Sequence, residues 1–266
     1  MKYILVIAGS DPTGGAGIQA DIKTITALGG HAATVIAAVT AQNSTGIRGI
    51  HFIPPSFIKE QVRAVIQDIT PDAVKIGMLG NMATVVAVGE LLTQYKMSPV
   101  ILDPVMQASA GGKLLEKNGV EAVKKRLVPL VNVVTPNIPE AQVLAEMEIR
   151  NQQDMMDAAK RIARTGPSVV ITGGHLGEVA ADLVYDNGKF FWVEGPKLHS
   201  PHTHGTGCVF SSALATYMAR GKSVFEATKM AHDFTRYAII YGYALGNSPG
   251  AINPIGMKKF QDRKGK

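Results

Sequence analysis

The strongest constraint on the fold is an alternation between two kinds of segment. Short runs dominated by β-branched and aliphatic residues lie at 3–8, 33–40, 73–76, 100–103, 131–135 and 169–172. Between them, 16–28, 56–68, 82–95, 116–127, 139–146 and 153–165 carry helical spacing. Apolar strands separated by helices predict βαβ units around a mainly parallel sheet. After residue 172 the pattern changes: 180–185 and 189–193 flank Asp186-Asn187-Gly188, a hairpin signal that adds an antiparallel pair to one edge. Helices over about 205–218 and 223–243 close the chain. The expected class is α/β. No shift in composition and no linker divides the 266 residues, so a single domain is expected.

Composition removes whole classes of function. The net charge is +6, but residues 257–266 hold five basic side chains against one acidic, which leaves +2 for the other 256. A basic tail of that length, with Phe260 its single aromatic residue, makes no stacking platform for nucleic acid. The longest apolar stretches, such as 32–41, fall short of the ~18 residues of a membrane span. Met1-Lys2 and the following YILVIAG imitate the start of a signal peptide, but Asp11 and a run of glycines come at once, so a buried first strand is expected. Cys208 is the only cysteine, which excludes an internal disulfide and fits a reducing, cytoplasmic setting.

In a sheet of this type the ligand crevice lies beyond the carboxyl ends of the strands. The loops there read IAGSDPTGGAG, TAQNSTG, IGMLG, LDPVMQASAGGK, TPNIPE and ITGGH, all glycine-rich, polar or both. The first loop, Gly9 to Gly17, matches neither common phosphate-binding pattern. A Walker A loop ends in Gly-Lys-Ser/Thr, and no lysine follows Gly17 before Lys23. A dinucleotide fingerprint needs an acidic residue at the end of the second strand, where the chain reads Thr40-Ala41-Gln42. Four glycines in nine residues nevertheless suit backbone lying against a bound molecule.

Asp21 stands in the first turns of an otherwise apolar helix, where the helix dipole alone would favour a carboxylate. Gln42 ends an apolar strand, an ordinary place for a polar group. Taken together they offer an acceptor beside an amide, a pair suited to the edge of an aminopyrimidine. Asn137-Ile138-Pro139-Glu140 reads as a good helix start, and equally as the carboxylate and amide that a hydrated Mg²⁺ on nucleotide phosphates uses, with Asp103 joining through water.

Gly205-Thr206-Gly207-Cys208 leads straight into a helix, so backbone N–H groups and the helix dipole converge on a pocket for negative charge. A helix N-terminus would lower the pKa of the Cys208 thiol; a small buried hydrophobe is the plainer use of a free cysteine. Zinc held by His202, His204 and Cys208 lacks a fourth ligand, and a Cys-His hydrolase lacks any sign of an acyl substrate.

The motifs AGSDPTGGAGIQADIKT, VTAQNSTG, KIGMLG, LDPVM, VTPNIPEAQVL, TGGH and THGTGC occur in this order over nearly the whole chain. They resemble the hydroxymethylpyrimidine/phosphomethylpyrimidine kinases of thiamine biosynthesis. The resemblance implies a ribokinase-like three-layer α/β/α sandwich, ATP and Mg²⁺, two successive phosphoryl transfers onto 4-amino-5-hydroxymethyl-2-methylpyrimidine, and a homodimer. Carried over by position, Gly9, Ala16, Asp21, Gln42 and Met78 would line the pyrimidine site. Asn137, Glu140, Thr172 and Gly174 would serve the Mg-nucleotide. Gly205, Thr206 and Gly207 would form the anion hole, with Cys208 where most sugar kinases of this fold carry an aspartate base. A Cys208 thiolate would then accept the alcohol proton in the first transfer and matter little in the second.

Three positions depart from the family pattern. His202 replaces an asparagine before GTGC, the loop after LDPVM reads Ala108-Ser109-Ala110-Gly111-Gly112-Lys113, and Ala231-His232 replaces an Ala-Lys pair. Either Lys113 then supplies the phosphate-neutralising charge, or transfer is slower, and the sequence leaves both open. The alternatives are a pyridoxine or pyridoxal kinase of the same fold and a non-catalytic sensor of a pyrimidine; intact Asn137, Glu140 and GTGC argue against the sensor.

Overall fold

The computed structural model describes residues 1–107, 112, 114–173 and 179–256. Its elements run β1 (Tyr3–Ser10), α1 (Gly17–Ala27), β2 (His31–Asn43), β3 (Gly46–Phe52), α2 (Pro55–Ile66), β4 (Ala73–Ile76), α3 (Met82–Tyr95) and β5 (Val100–Leu102). There follow α4 (Lys117–Ala122), β6 (Val133–Val134), α5 (Ile138–Ala145), α6 (Gln152–Ala163), β7 (Ser168–Ile171), β8 (Val179–Asp186), β9 (Lys189–Pro196), α7 (Thr206–Ala219), α8 (Val224–Ile240), β10 (Tyr243–Leu245) and β11 (Ser248–Ala251).

Nine strands form one sheet in the order β3-β2-β1-β4-β5-β6-β7-β8-β9. Pairings from β2 through β7 are parallel, and the antiparallel partners lie at both ends: β3 on β2, and β8 and β9 beyond β7. Along β1 every residue from Ile4 to Ala8 is buried. Leu5 and Ile7 face the core beneath α2 to α6, whereas Ile4, Val6 and Ala8 face the core beneath α1, α7 and α8. Side chains alternate across a strand, so a strand between two helical layers must be apolar at every position. The layers are therefore helix, sheet, helix, as the ribokinase-like resemblance implies. The winding reverses between β1 and β4, which pair directly although α1, β2, β3 and α2 lie between them in sequence. Such a switch point opens a crevice at the carboxyl ends of the strands.

The expected order of elements is observed through α8, with three local differences. The sequence pattern does not show the hairpin partner of β2, β3. Its turn is held by Asn43, whose side chain accepts from the Thr45 backbone N–H and hydroxyl, and β2–β3 pairing shifts register between Ala41 and Gln42. GIRGIHF mixes polar and apolar residues too evenly to announce an edge strand on its own. The helix expected over 116–127 is α4 followed by a π turn at Val123–Leu127 and a 3₁₀ turn at Val128–Leu130. Pro129 lacks the N–H that would continue an α-helix. Finally, α8 stops at Ile240, and the backbone turns through Gly242 into the β10–β11 hairpin. No helix among the described residues is long and apolar enough to cross a membrane.

Leu5 is wholly enclosed at the centre of the sheet. Its truncation, Leu5→Ala, is expected to lower stability by about 2–5 kcal/mol, measured as a drop in urea midpoint with an unchanged m-value.

Candidate active site

The loops leaving the carboxyl ends of the parallel strands enclose one cavity. At one end stand Gly9, Ala16, Gln42 and Met78; at the other stand Asn137, Glu140 and Thr172, with Asp103, Gly205, Gly207 and Cys208 also on the wall. These eleven are site residues expected from the sequence; they stand on β1, β2, α5 and α7, at the N-caps of α1, α5 and α7, and in the loops that follow β4, β5 and β7.

The anion hole depends on backbone that only glycine permits. Gly205 is the N-cap of α7 with φ +88°, and a Cβ on it would stand 1.9 Å from the carbonyl oxygen of Gly15. The THGTGC turn and the β1–α1 loop thus press backbone to backbone. A second bond closes them: His204 Nε2 lies 2.9 Å from Asp11 Oδ2, and both residues line the cavity. Asp11 also accepts from the backbone N–H of Thr13 and Ala16 and from the Thr13 hydroxyl. Burial pushes the Asp11 carboxyl up, but His204 and the Thr13 donors outweigh it and hold it below the usual carboxylate range. The first turn of α7 has no intrahelical partner for its N–H groups. Thr206 spends its own on the Thr203 carbonyl, which also accepts the Thr206 hydroxyl, and it is not on the cavity wall. Gly205, Gly207 and Cys208 stand on the cavity wall where the anion hole is expected, and Thr206 shapes the turn beside them.

Asp21 is also placed differently from expectation. It is fully buried on α1 behind the cavity wall, with Lys75 Nζ 2.9 and 3.1 Å from its two carboxylate oxygens and the Ser212 hydroxyl donating at 2.7 Å. Wholly buried and off the cavity wall, this carboxylate does not face a pyrimidine. The aminopyrimidine pair read from Asp21 and Gln42 is thus corrected: Gln42 stays on the wall, and Asp21 serves Lys75. Burial opposes the charge on Lys75, but Asp21 and Asp103 outweigh it and hold the ammonium above the ordinary lysine range. Lys75 lines the cavity and escaped the sequence reading, although a lysine inside the four-residue strand Ala-Val-Lys-Ile was a visible signal.

Asn137 is both cap and wall. Its side chain accepts from the Glu140 N–H, and Glu140 accepts from the Asn137 N–H, so the two readings of this motif describe one structure. Glu140 also accepts from the Met106 N–H at 3.4 Å. Its carboxyl is pushed up to about 8, by burial first and by the neighbouring Asp103 charge second. Two desolvated acids in one wall are what a divalent cation relieves, and among the described residues no cluster of three or more metal-ligating side chains exists. That donor set fits Mg²⁺, which keeps waters and substrate phosphates as ligands and takes only one or two carboxylates.

Cys208 does not carry the expected thiolate. It is partly exposed to the cavity, yet enough protein surrounds it that burial pushes its thiol up to about 12; Lys75 opposes this, and Asp21 and Asp103 add to it. Burial around the sulfur therefore works against the thiolate expected from the helix N-terminus. The histidines that replace family residues are not at the chemistry either. His232 Nδ1 lies 2.7 Å from Asp182 Oδ2 between α8 and β8, away from the cavity wall, and Asp182 Oδ1 accepts from the Gly173 N–H. His202 packs against Gly242 and Gly250, also off the wall. Lys113 and Gly174 lie outside the described residues, as do the other members of the loop at 108–111 and the basic tail.

A three-layer sandwich with a glycine-capped helix N-terminus facing an acidic, cation-ready wall defines a ribokinase-like small-molecule kinase. The family model described as phosphomethylpyrimidine kinase matches residues 11–253. A hydroxymethylpyrimidine/phosphomethylpyrimidine kinase from Streptomyces coelicolor is 42% identical over 95% of this chain and 93% of its own length. A thiamine biosynthesis bifunctional protein from Geobacter sulfurreducens is 44% identical over 95% of this chain, which spans 52% of that relative's length. Among solved structures, the ADP complex of Bacillus subtilis pyridoxal kinase superposes with a TM-score of 0.90 at 34% identity, over 97% of this chain and 99% of that one. The chain belongs to the phosphomethylpyrimidine kinase family and is a kinase.

A thiol held near 12 is protonated at neutral pH, and its thiolate grows with every step in pH below that value. Alkylation of Cys208 by iodoacetamide is expected to be slow at neutral pH and to accelerate steadily up to pH ~10. A rate that levels off near pH 8 is the opposite result.

Proposed function

We propose that this protein transfers the γ-phosphoryl group of Mg-ATP first to the hydroxymethyl oxygen of 4-amino-5-hydroxymethyl-2-methylpyrimidine and then to the resulting monophosphate. The observation that carries this reading is the span of one cavity, from Gly9, Gln42 and Met78 at one end to Asn137, Glu140 and Thr172 at the other. The N-terminus of α7 stands on the same wall through Gly205, Gly207 and Cys208. In this reading the Gln42 side-chain amide, which both donates and accepts, reads the amino and ring-nitrogen edge of the pyrimidine, and the Met78 thioether packs on its face.

Phosphoryl transfer asks for alignment and for neutralisation of charge more than for a strong base. The N–H groups of Gly207 and Cys208 and the dipole of α7 meet the oxygens of the transferred group. Cys208 keeps its proton, so the protein's contribution to the first transfer is placement of the hydroxyl and not its prior ionisation. Glu140, Asp103 and Asn137 would hold Mg²⁺ directly or through water, and the ion supplies neutralisation of the nucleotide phosphates. Asp11 and His204 keep the two glycine loops together, so the hole and the pyrimidine end stay in register.

Pyridoxal kinase is the second reading, favoured by the close likeness to the Bacillus subtilis enzyme. Both are tested by offering Mg-ATP with hydroxymethylpyrimidine, its monophosphate and pyridoxal in parallel. The expected outcome is successive formation of the pyrimidine monophosphate and diphosphate; transfer to pyridoxal alone would reassign the site. Gln42→Leu is expected to weaken pyrimidine binding by roughly tenfold, the worth of one buried hydrogen-bonding group, with ATP affinity retained in titration.

A further inference from the structure

The buried pair of His232 on α8 and Asp182 on β8 plays no part in the reading above. Both side chains are more than nine-tenths enclosed, and His232 Nδ1 lies 2.7 Å from Asp182 Oδ2. A carboxylate only accepts, so Nδ1 carries the hydrogen between them. The other ring nitrogen, Nε2, is buried and has no hydrogen-bond partner among the described residues. The Nδ1 bond is therefore the one polar tie of this ring. The second oxygen of Asp182, Oδ1, accepts from the backbone N–H of Gly173 at 3.1 Å. Gly173 follows Thr172 directly and presses on β8, where a Cβ on it would stand 2.0 Å from the Ala181 carbonyl oxygen. Thr172 in turn makes a parallel bridge with Asn137 and donates its N–H to the Pro136 carbonyl. Thr172 and Asn137 are both on the cavity wall. A buried carboxylate needs donors on both oxygens, and His232 takes one of them, which leaves the other aimed at Gly173. An unbroken chain of contacts thus runs from α8 through β8 to the Asn137–Thr172 end of the cavity.

We propose that His232 is a positioning residue for the nucleotide: it orients Asp182, Asp182 holds Gly173, and Gly173 keeps Thr172 beside Asn137 where Mg-ATP binds. His232 itself is off the cavity wall and acts through two hydrogen bonds on the backbone of that wall. This rests on the assignment of the Asn137, Glu140 and Thr172 end to the nucleotide.

The test is steady-state kinetics with KM measured separately for ATP and for hydroxymethylpyrimidine, alongside thermal melts. His232→Leu keeps most of the bulk and removes the donor. It is expected to raise KM for ATP about tenfold, the worth of one hydrogen bond to a charged group, and to leave KM for the pyrimidine unchanged. His232→Asn gives up bulk but keeps an N–H where Nδ1 stands, and it is expected to restore most of the ATP affinity. A side chain that only filled space would show the reverse order. Because His232→Leu strips a buried carboxylate of a donor, the paired variant His232→Leu with Asp182→Asn serves where the single one does not fold, with the same selective rise expected. Equal rises for both substrates, an unchanged KM for ATP in a folded leucine variant, or a higher KM for ATP with asparagine than with leucine would overturn the role of His232. Asn137→Ala separates the two ideas. If it raises KM for ATP while the His232 variants do not, only the role of His232 fails. If it raises KM for the pyrimidine instead, the nucleotide assignment fails, and the proposal fails with it.

Discussion

The buried pair of Lys75 and Asp21 is the interaction on which the rest of the site depends. It joins three elements that are remote in sequence: β4 supplies the lysine, α1 the carboxylate, and α7 the Ser212 hydroxyl that completes it. An ionised lysine cannot be buried in an apolar layer without a partner, and loss of one member of such a pair typically costs about 3–5 kcal/mol. The pair therefore sets how α1 and α7 lie on the sheet. Both helices begin at the cavity, so their placement also decides where the two glycine loops meet.

Those loops meet at backbone distance. Gly205 admits the Gly15 carbonyl oxygen where any side chain would collide, and Gly17, with φ +57°, does the same for the carbonyl oxygen of Gly9. The His204–Asp11 contact holds the approach together from the side chains. Close packing of bare backbone leaves N–H groups facing the cavity, and that is the chemical resource a phosphoryl-transfer site needs. The acidic wall contributed by Asp103 and Glu140 stands against it, so the cavity is polarised between anion-accepting backbone and cation-accepting carboxylates.

Much of this was legible in the residue pattern, and the parts that were not have physical reasons. Continuous apolar runs such as Ile4 to Ala8 announce a strand buried on both faces because no solvent-facing position exists to break them. Strand β3 was hidden because an edge strand has one partner and tolerates Arg48 and His51 among its apolar residues. Gln42, Asn137 and Glu140 were found because polar groups at strand ends fall where the sheet opens. Asp21 was found but misplaced, since a charged residue in an apolar helix signals only that it has a partner. Its partner, Lys75, is 54 residues away and faces it across the sheet surface. The expected reactivity of Cys208 failed for a related reason: a helix N-terminus is a local feature, whereas desolvation is set by everything packed around the sulfur.

By itself, then, the sequence determined the alternation of strands and helices, the glycines that allow backbone to approach backbone, and the set of strand-end residues from which a site is assembled. These are local matters of periodicity, conformational freedom and side-chain chemistry. Only the tertiary structure decided which charges face the cavity and which are consumed behind it, because burial and pairing depend on neighbours far away in sequence. It is that distinction that moved Asp21 off the ligand wall and paired it with Lys75, and that set burial against ionisation of Cys208.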